Sequence, residues 1–420
     1  MEYKKTEIKK GINLHLINTE KFKTNLLSVF ITTKLSKETV TKNALIPMVL
    51  KRGSKNMTTS EKISENLEEM YGADFNCGVE KTGDNQVLKF YLETLNDEYL
   101  PEKENLLEKS IATILELIFN PYTENESFKE EYVNGEKENL KQIIEGKKDS
   151  KDRYAYERCI EEMYKDQPYG LYKYGYIEEL EKIDNKNLHE YYKKMINESK
   201  IDIFLSGKIE EDAETIIKEN ENIKKLDSRE YEIIITDNNN QNKEVKEITE
   251  NTQISQGKLV IGLDVKVENK KQKYAALLYN AILGGTPTSK MFQNVREKES
   301  LAYTAASNYI RNKDIILIRC GIEIENYEKA LNLTKKQIED MKNGEFSEEN
   351  IQNAKANIIS NIRAIPDEQD TQITYYFGQE FSKYKMNFDE YEEQIKNLNK
   401  QDVQEIAQNV TLNTIYFLKS

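Results

Sequence analysis

Residues 284–303 read GGTPTSKMFQNVREKESLAY, and this stretch is the strongest single indication of how the chain folds. It opens on the glycine pair Gly284-Gly285, which follows an apolar run with helical spacing at residues 276–283. Paired glycines after a helix allow the backbone to approach another group closely. They also suit a helix end followed by a turn, with Pro287 stopping the helix. The local sequence leaves both roles open.

The same order of segments occurs in the first part of the chain. A strand-like run, an apolar helical run ending in Arg52-Gly53-Ser54, a second helical run and a hairpin pattern follow one another there as they do around residues 260–323. Leu45 corresponds to Leu277 and Asp84 to Lys313, which are separations of 232 and 229 residues. Such a nearly constant separation indicates an internal repeat of large period.

The repeat predicts two homologous halves at residues 1–235 and 246–420. The run at 236–243 is rich in Asn and contains no apolar residue, so residues 236–245 are predicted to be a solvated linker. Apolar periodicity predicts strands at 12–17, 26–33, 73–80, 86–93, 201–206 and 414–418, and helices at 40–50, 61–70, 102–119, 124–145, 151–164, 187–196, 325–341, 347–362 and 367–381. Helices segregated over a mainly antiparallel sheet in each half predict an α+β fold.

Composition excludes several classes of protein. The 420 residues carry 61 Lys and Arg against 74 Asp and Glu, without a long basic block, so nucleic acid is not an expected partner. No apolar run approaches the ~18–20 residues of a membrane span, and no signal peptide is recognisable, so no membrane contact is expected. Cys77, Cys159 and Cys320 are isolated and odd in number, which predicts a reducing, cytoplasmic location.

The quoted segments resemble the insulinase/pitrilysin zinc metallopeptidases, most closely their bacterial members similar to the mitochondrial processing peptidase. The stretch at 284–303, ending in Leu301-Ala302-Tyr303, is similar to that family's C-terminal signature, and the resemblance covers essentially the whole chain. It implies a clam-shell of two homologous halves, each an antiparallel sheet covered by helices. It also implies that peptide is the substrate class.

The inverted zinc motif of that family, His-x-x-Glu-His, is missing here. In the family, two imidazoles one helical turn apart share a zinc ion and the Glu between them acts as general base. The resemblance places Asn43 and Pro47 at the two histidine positions and Ile46 at the base position. His15 and His189 are 174 residues apart and form no such pair. We therefore predict no catalytic residue, no metal site and no cofactor in this chain.

A third zinc ligand of the family is expected from a later helix. The glutamates around 130–131 and 136–138 include that region, and without imidazoles they are most simply a solvated helix face. An all-carboxylate site would suit magnesium or calcium better than zinc.

The resemblance implies a retained role for Arg296 and Tyr303 of the second half. An Arg and a Tyr with this spacing are expected to hold the substrate carbonyl and stabilise the oxyanion, beside Gly284 and Gly285. The structural alternatives are an ordinary ion pair of Arg296 with Glu297 or Glu299, and a core position for Tyr303.

These observations favour a non-catalytic subunit. It would pair with a homologous chain that bears His-x-x-Glu-His and zinc, and would contact peptide in a shared chamber. The alternative is a structural scaffold with no part in peptide chemistry. An enzyme with different chemistry finds little support, because no GxSxG, Walker or Cys–His motif is present.

Overall fold

The computed structural model describes residues 2–235 and 244–420; residues 236–243, most of the predicted linker, lie outside the described residues. The strands are β1 Glu2–Lys9, β2 Ile12–Asn18, β3 Thr24–Lys34, β4 Asp74–Thr82, β5 Asn85–Leu95, β6 Thr123–Glu124, β7 Ser127–Phe128, β8 Lys200–Gly207, β9 Lys246–Asn251, β10 Gly257–Val265, β11 Ala302–Ile310, β12 Ile315–Ile322 and β13 Val410–Lys419. The helices are α1 Val40–Leu50, α2 Ser60–Glu69, α3 Leu106–Phe119, α4 Glu130–Glu145, α5 Lys151–Met163, α6 Ile177–Glu181, α7 Asn185–Glu198, α8 Ala213–Glu219, α9 Glu221–Lys224, α10 Lys270–Asn280, α11 Tyr327–Lys342, α12 Glu348–Ala364, α13 Gln369–Gly378, α14 Phe388–Asn397 and α15 Lys400–Gln408.

The α+β fold is confirmed, with local differences from the predicted elements. The helix predicted at 124–145 begins only at Glu130, because Asn125 and Glu126 adopt positive φ angles of 50° and 62° and turn the short hairpin β6–β7. The segment at 291–298 is a π-helix instead of an α-helix. No helix in the described residues combines the length and the apolar character needed to span a membrane.

The first unit contains a six-stranded sheet. Its strand order is β1-β2-β8-β3-β5-β4, and every neighbouring pair is antiparallel except β2 with β8. Helices α1 and α3 pack on one face, where the side chains of Leu27, Val29 and Ile31 join a large apolar core. The antiparallel character and the helical cover agree with the sequence prediction.

The second unit contains a five-stranded sheet of the same topology. Its order is β11-β12-β10-β13-β9, again antiparallel except for the pair β13 with β9. Placing β10 on β3 matches β12 to β5, β11 to β4, β13 to β8 and β9 to β2. The internal repeat inferred from the sequence is therefore visible strand by strand, with β1 as an addition in the first unit.

Each unit contains a segment that the predicted boundaries assign to the other half. The first unit takes the chain up to Glu145, Leu171–Ile234 and also Pro366–Gly378. The second takes Gly146–Gly170, the described chain between Ile235 and Ile365, and Gln379–Ser420. Helix α13 therefore belongs to the first unit and helix α5 to the second.

Helix α13 is anchored on the face of the first sheet opposite α1. The ring centroid of Phe377 lies 4.5 Å from that of Phe30. The Gln369 amide donates to the carbonyl oxygen of Ser206 at 2.7 Å, and Thr24 donates its hydroxyl to Gln369 at 3.0 Å. Since buried amides need such partners, the helix is held by specific polar contacts as well as by apolar packing.

Helix α5 holds the corresponding place in the second unit. Met163 packs directly on Gly262 of β10, where a Cβ atom would lie 2.2 Å from the Met163 sulfur. The Tyr154 hydroxyl donates to Glu250 at 2.6 Å, and Arg158 forms an ion pair with the same carboxylate at 3.3 Å. A side chain at position 262 would therefore force the Met163 side chain to move.

A cluster of linked polar side chains lies on the α13 side of the first sheet. Tyr3 hydrogen-bonds to His15 Nδ1 at 2.9 Å, and His15 Nε2 lies 3.0 Å from Asp202 Oδ1. The Lys200 ammonium lies 2.9 Å from Asp202 Oδ2, and both side chains are essentially inaccessible, at 1% and 0% exposure. The arrangement pairs one buried cation with one buried anion, as a low-dielectric interior requires.

The buried contact between His15 and Asp202 predicts a loss of stability at mildly acidic pH. Burial lowers the pKa of His15 below its ordinary 6.5, against the opposing hydrogen bond to Asp202. The unfolded chain therefore binds the proton first, so the stability contribution is complete above pH 6.5 and declines as the pH falls below it. When the pH is lowered from 7.5 to 5.5, the free energy of unfolding should fall less in the His15→Gln variant than in the parent chain. Urea unfolding at both pH values measures this difference.

The second histidine provides the control for that experiment. Burial also lowers the pKa of His189, so this residue adds its own loss of stability on acidification. The His189→Gln variant should still show the part of that loss that is due to His15. An identical loss of stability on acidification in His15→Gln and in the parent would contradict the prediction.

Candidate functional site

Helix α1 carries the positions of the missing zinc motif and is buried along most of its length. It packs against β4, β5 and α4 of the first unit. Pro47 lies inside the helix, and its carbonyl oxygen accepts hydrogen bonds from the Cys77 thiol and the Lys51 backbone N–H, both at 3.2 Å. A proline here removes one backbone donor without ending the helix.

Asn43, at the first histidine position, is fully engaged in the core. Its amide nitrogen donates to Thr33 Oγ1 at 3.0 Å and to Gln86 Oε1 at 2.9 Å. Its amide oxygen accepts from the Tyr191 hydroxyl at 2.9 Å. The side chain is inaccessible to solvent, so its polar atoms serve the packing of α1 and are not presented to a ligand.

Ile46 and Pro47, at the base and second histidine positions, contribute no ligand atom from their side chains. Ile46 is part of the apolar core, and Pro47 is buried beside it. Across the described ranges 2–235 and 244–420, no group of three or more His, Cys, Asp or Glu side chains is placed to hold a metal ion. The residues of this helix do not fit the zinc ion of the family motif.

A cavity of about 330 Å³ opens at the C-terminal end of α1, one turn beyond the motif positions. We call it the α1 pocket. Its lining residues come from α1, the loop after it, α2, β4 and α4: Met48, Lys51, Arg52, Ser60, Ile63, Ser64, Leu67, Phe75, Cys77 and Glu136. Burial raises the pKa of Cys77 to about 11, so the thiol is protonated and acts as part of the apolar wall.

Glu136 differs from the solvated helix face that the sequence predicts for this region. Its side chain is buried, and Oε1 lies 3.6 Å from Arg52 Nε. The Arg52 guanidinium also lies over the ring of Tyr132, 5.5 Å from its centroid. The ion pair with Arg52, which lies in the loop after α1, therefore fixes the position of the Glu136 carboxylate.

Arg296 and Tyr303 lie in the second unit and are both exposed, at 43% and 61%. The Arg296 guanidinium stacks on Phe292, 4.6 Å from the ring centroid, and Nε lies 3.7 Å from Glu297 Oε1. Tyr303 lies on β11, an edge strand, and donates its hydroxyl to Glu323 at 2.6 Å. The core position considered for Tyr303 is therefore wrong, and the ion pair with Glu297 is present.

The glycine pair has a packing role in the second unit. Residues Ala281–Gly285 form a π-helical turn that packs on β11. A Cβ atom at Gly284 would lie 2.7 Å from the backbone nitrogen of Ser307, and one at Gly285 would lie 2.8 Å from the Asn280 amide nitrogen. Close approach of one backbone to another therefore explains Gly284 without a ligand.

The sequence of a bacterial relative decides the family. "Probable inactive metalloprotease YmfF" of Bacillus subtilis (strain 168) is 34% identical to this chain over 410 residues, which cover 97% of this chain and 96% of the relative. The chain belongs to the M16 family of metallopeptidases. A family profile described as "Peptidase M16 inactive domain" matches residues 182–358. The chain is an inactive homologue within the family, without peptidase catalysis of its own.

Two solved structures show the same M16 fold over the full chain. A conserved protein from Enterococcus faecalis V583 has a TM-score of 0.91 at 29% identity, covering 100% of this chain and 99% of that one. A peptidase M16 inactive domain from Pseudomonas fluorescens has a TM-score of 0.79 at 16% identity, covering 100% and 98%. The second likeness supports the fold alone.

The sequence did not predict the α1 pocket of this M16 homologue. Lys51 and Arg52 lie four and five residues after the motif window, but their side chains carry no periodic signal, and Glu136 is distant in the chain.

Replacing Gly284 tests the packing role. We expect Gly284→Ala to lower the free energy of unfolding by about 1–3 kcal/mol, because the new methyl group would overlap the Ser307 backbone. Gly135→Ala is the matched control, since no other described segment comes within 4 Å of its Cβ position on α4. That change should stabilise the helix by about 0.5–1 kcal/mol. Urea unfolding measures both, and equal effects would contradict the prediction.

Proposed function

We propose that this chain is the non-catalytic subunit of a two-chain peptidase. A homologous subunit bearing His-x-x-Glu-His would supply the zinc ion and the general base. This chain would supply part of the chamber wall and contacts to the peptide, and it would work in the cytoplasm without a cofactor of its own. One observation supports this proposal best. Helix α1, which carries the motif positions of the first unit, is buried, whereas Arg296 and Tyr303 of the second unit are exposed.

The chemistry of those two side chains supports the proposal. The Arg296 guanidinium has five N–H donors, and its ion pair with Glu297 at 3.7 Å is beyond hydrogen-bonding distance. Phe292 supports the guanidinium plane from one side. Tyr303 carries a phenolic hydroxyl on an edge strand, and this hydroxyl would exchange its hydrogen bond to Glu323 for one to the peptide. An added chain can also pair with the backbone of that strand. Donors of this kind stabilise the oxyanion of a peptide under attack.

Capture of the partner is the first experiment. The tagged chain would be purified gently from its host, and co-purifying proteins identified by mass spectrometry. A homologous chain of similar size with His-x-x-Glu-His, and chelator-sensitive peptide cleavage in the eluate, is the expected result. A chain that purifies alone, without cleavage, would support the scaffold alternative instead.

Variants of the second unit then test the peptide contacts. We expect Arg296→Ala and Tyr303→Phe each to lower turnover of the assembled pair, by about 10²–10³-fold if the donor meets the oxyanion directly. Assembly should be unchanged, as measured by size-exclusion chromatography. Arg363→Ala is the matched control, because this arginine is also exposed and pairs with Glu392. Full turnover in both variants would remove the proposed role.

A further inference from the structure

The α1 pocket combines an apolar interior with polar groups at its mouth. Ile63 and Phe75 are buried, whereas Lys51 and Ser64 are exposed to solvent. Its volume of about 330 Å³ is at the lower end of the ~300–1,000 Å³ that small-ligand sites occupy. The pocket therefore suits one side chain and not an extended ligand.

The cationic side chains of this pocket have N–H donors that are available to a ligand. Arg52 Nε is buried and has no hydrogen-bond partner among residues 2–235 and 244–420, because the Glu136 carboxylate lies 3.6 Å away. Lys51 has no ion-pair partner among the described residues. The side-chain hydroxyls of Ser60 and Ser64 likewise form no hydrogen bond within that part of the chain. Two cations face a single buried carboxylate, so the lining carries a net positive charge that favours an anion.

We propose that the α1 pocket binds the C-terminal residue of a peptide, with its apolar side chain inside and its free carboxylate against Lys51 and Arg52. A C-terminal apolar residue carries an apolar side chain and a carboxylate on one Cα atom, so it offers one group to the apolar interior and the other to the cationic mouth. An internal Asp or Glu would instead bring polar atoms against Ile63 and Phe75, which offer no partner.

Peptide as the ligand class rests on the proposed function, but the site itself lies in the first unit and needs no second chain. The Arg52 guanidinium can form paired hydrogen bonds to a carboxylate, and such charge-assisted bonds are about twice as strong as neutral ones. Lys51 adds a point charge at the mouth. The Arg52–Glu136 ion pair holds the guanidinium in place and leaves its terminal nitrogens available.

The test compares two forms of one peptide on the full-length chain. A fluorescein-labelled pentapeptide ending in leucine is titrated by fluorescence anisotropy, once with a free C-terminal carboxylate and once as the C-terminal amide. We expect the acid to bind at least about tenfold more tightly than the amide. Equal affinities for the two forms would overturn the proposal.

Three variants locate the interaction. Lys51→Met should weaken binding of the acid about three- to tenfold and leave the amide unchanged. Arg52→Lys, which keeps the charge beside buried Glu136 but loses the planar fork, should do the same without unfolding the chain. Ser64→Tyr, which fills the cavity from an exposed helix position, should weaken both forms.

Lys62→Met is the matched control, because Lys62 also lies on α2, is exposed and does not line the pocket. An effect of Lys62→Met equal to that of Lys51→Met would show non-specific attraction and overturn the site. Partner capture and this titration fail independently. Loss of the acid preference leaves the subunit proposal standing, whereas a chain without a partner leaves the titration interpretable.

Discussion

Asp202→Asn is expected to lower the free energy of unfolding by about 3–5 kcal/mol. The change leaves the Lys200 ammonium buried without its counter-ion, since the Lys200–Asp202 ion pair of 2.9 Å is almost completely shielded from solvent. Burial by itself would raise the pKa of Asp202, but the hydrogen bond from His15 and the charge of Lys200 hold it below its ordinary value. The carboxylate is therefore charged in the folded chain at neutral pH.

A second substitution separates lost charge pairing from lost packing. Lys200→Met in the Asp202→Asn background should recover a substantial part of the stability, because both buried charges are then gone. Glu198→Gln is the matched control; its ion pair with Lys194 is 3.9 Å long and exposed at both ends, so less than about 0.5 kcal/mol should be lost. Urea unfolding at pH 7.5 measures all three. A double variant no more stable than Asp202→Asn would contradict the charge argument.

Separate expression of residues 1–235 is expected to give no folded protein. This fragment lacks α13, so the face of the first sheet that carries Phe30 and Phe204 loses its cover. Ile373 and Phe377 alone bury enough apolar surface for about 3–6 kcal/mol. That loss is comparable with the ~5–15 kcal/mol that stabilises a whole domain. Circular dichroism and thermal unfolding of the purified fragment provide the measurement.

The reciprocal fragment, residues 246–420, lacks α5 and should fail for the same reason. Val260 and Tyr416 of its sheet belong to the core cluster that α5 completes. Co-expression of 1–235 with 246–420 is the control, because it keeps every helix and strand of the described chain while the chain is cut. We expect the pair to form a folded complex. A cooperative thermal transition in either fragment alone would show that the exchanged helices are dispensable.

The sequence predicted the helices and strands best where a regular apolar pattern is long. The strand at residues 26–33 and the helix at 40–50 agree with β3 and α1, which are apolar runs buried at nearly every position. Strands β1 and β9 were missed, since both lie at sheet edges and expose many charged side chains. The burial of His189 on α7 was not predicted either, because its Nδ1 pairs with the carbonyl oxygen of Glu126, 63 residues earlier in the chain.

The candidate site divides in a similar way. The absence of His, Glu and His at 43, 46 and 47 follows from residue identity alone, so the loss of the zinc motif was predictable. What replaces it was not predictable, because the hydrogen bonds of Asn43 to Gln86 and Tyr191 join residues far apart in the chain. The pairing of Arg52 with Glu136 depends on the packing of α1 against α4 in the same way.

The sequence by itself determined the family, the repeated α+β architecture and the lack of a zinc-binding motif, because these depend on residue identity and on local periodicity. Only the tertiary structure showed that α5 belongs to the second unit and α13 to the first, although the flanking sequence of each belongs to the other unit. It also decided that the end of α1 opens into a pocket with a cationic mouth. Both depend on contacts between distant segments, for which the energetic gain appears only once the sheets and helices have packed.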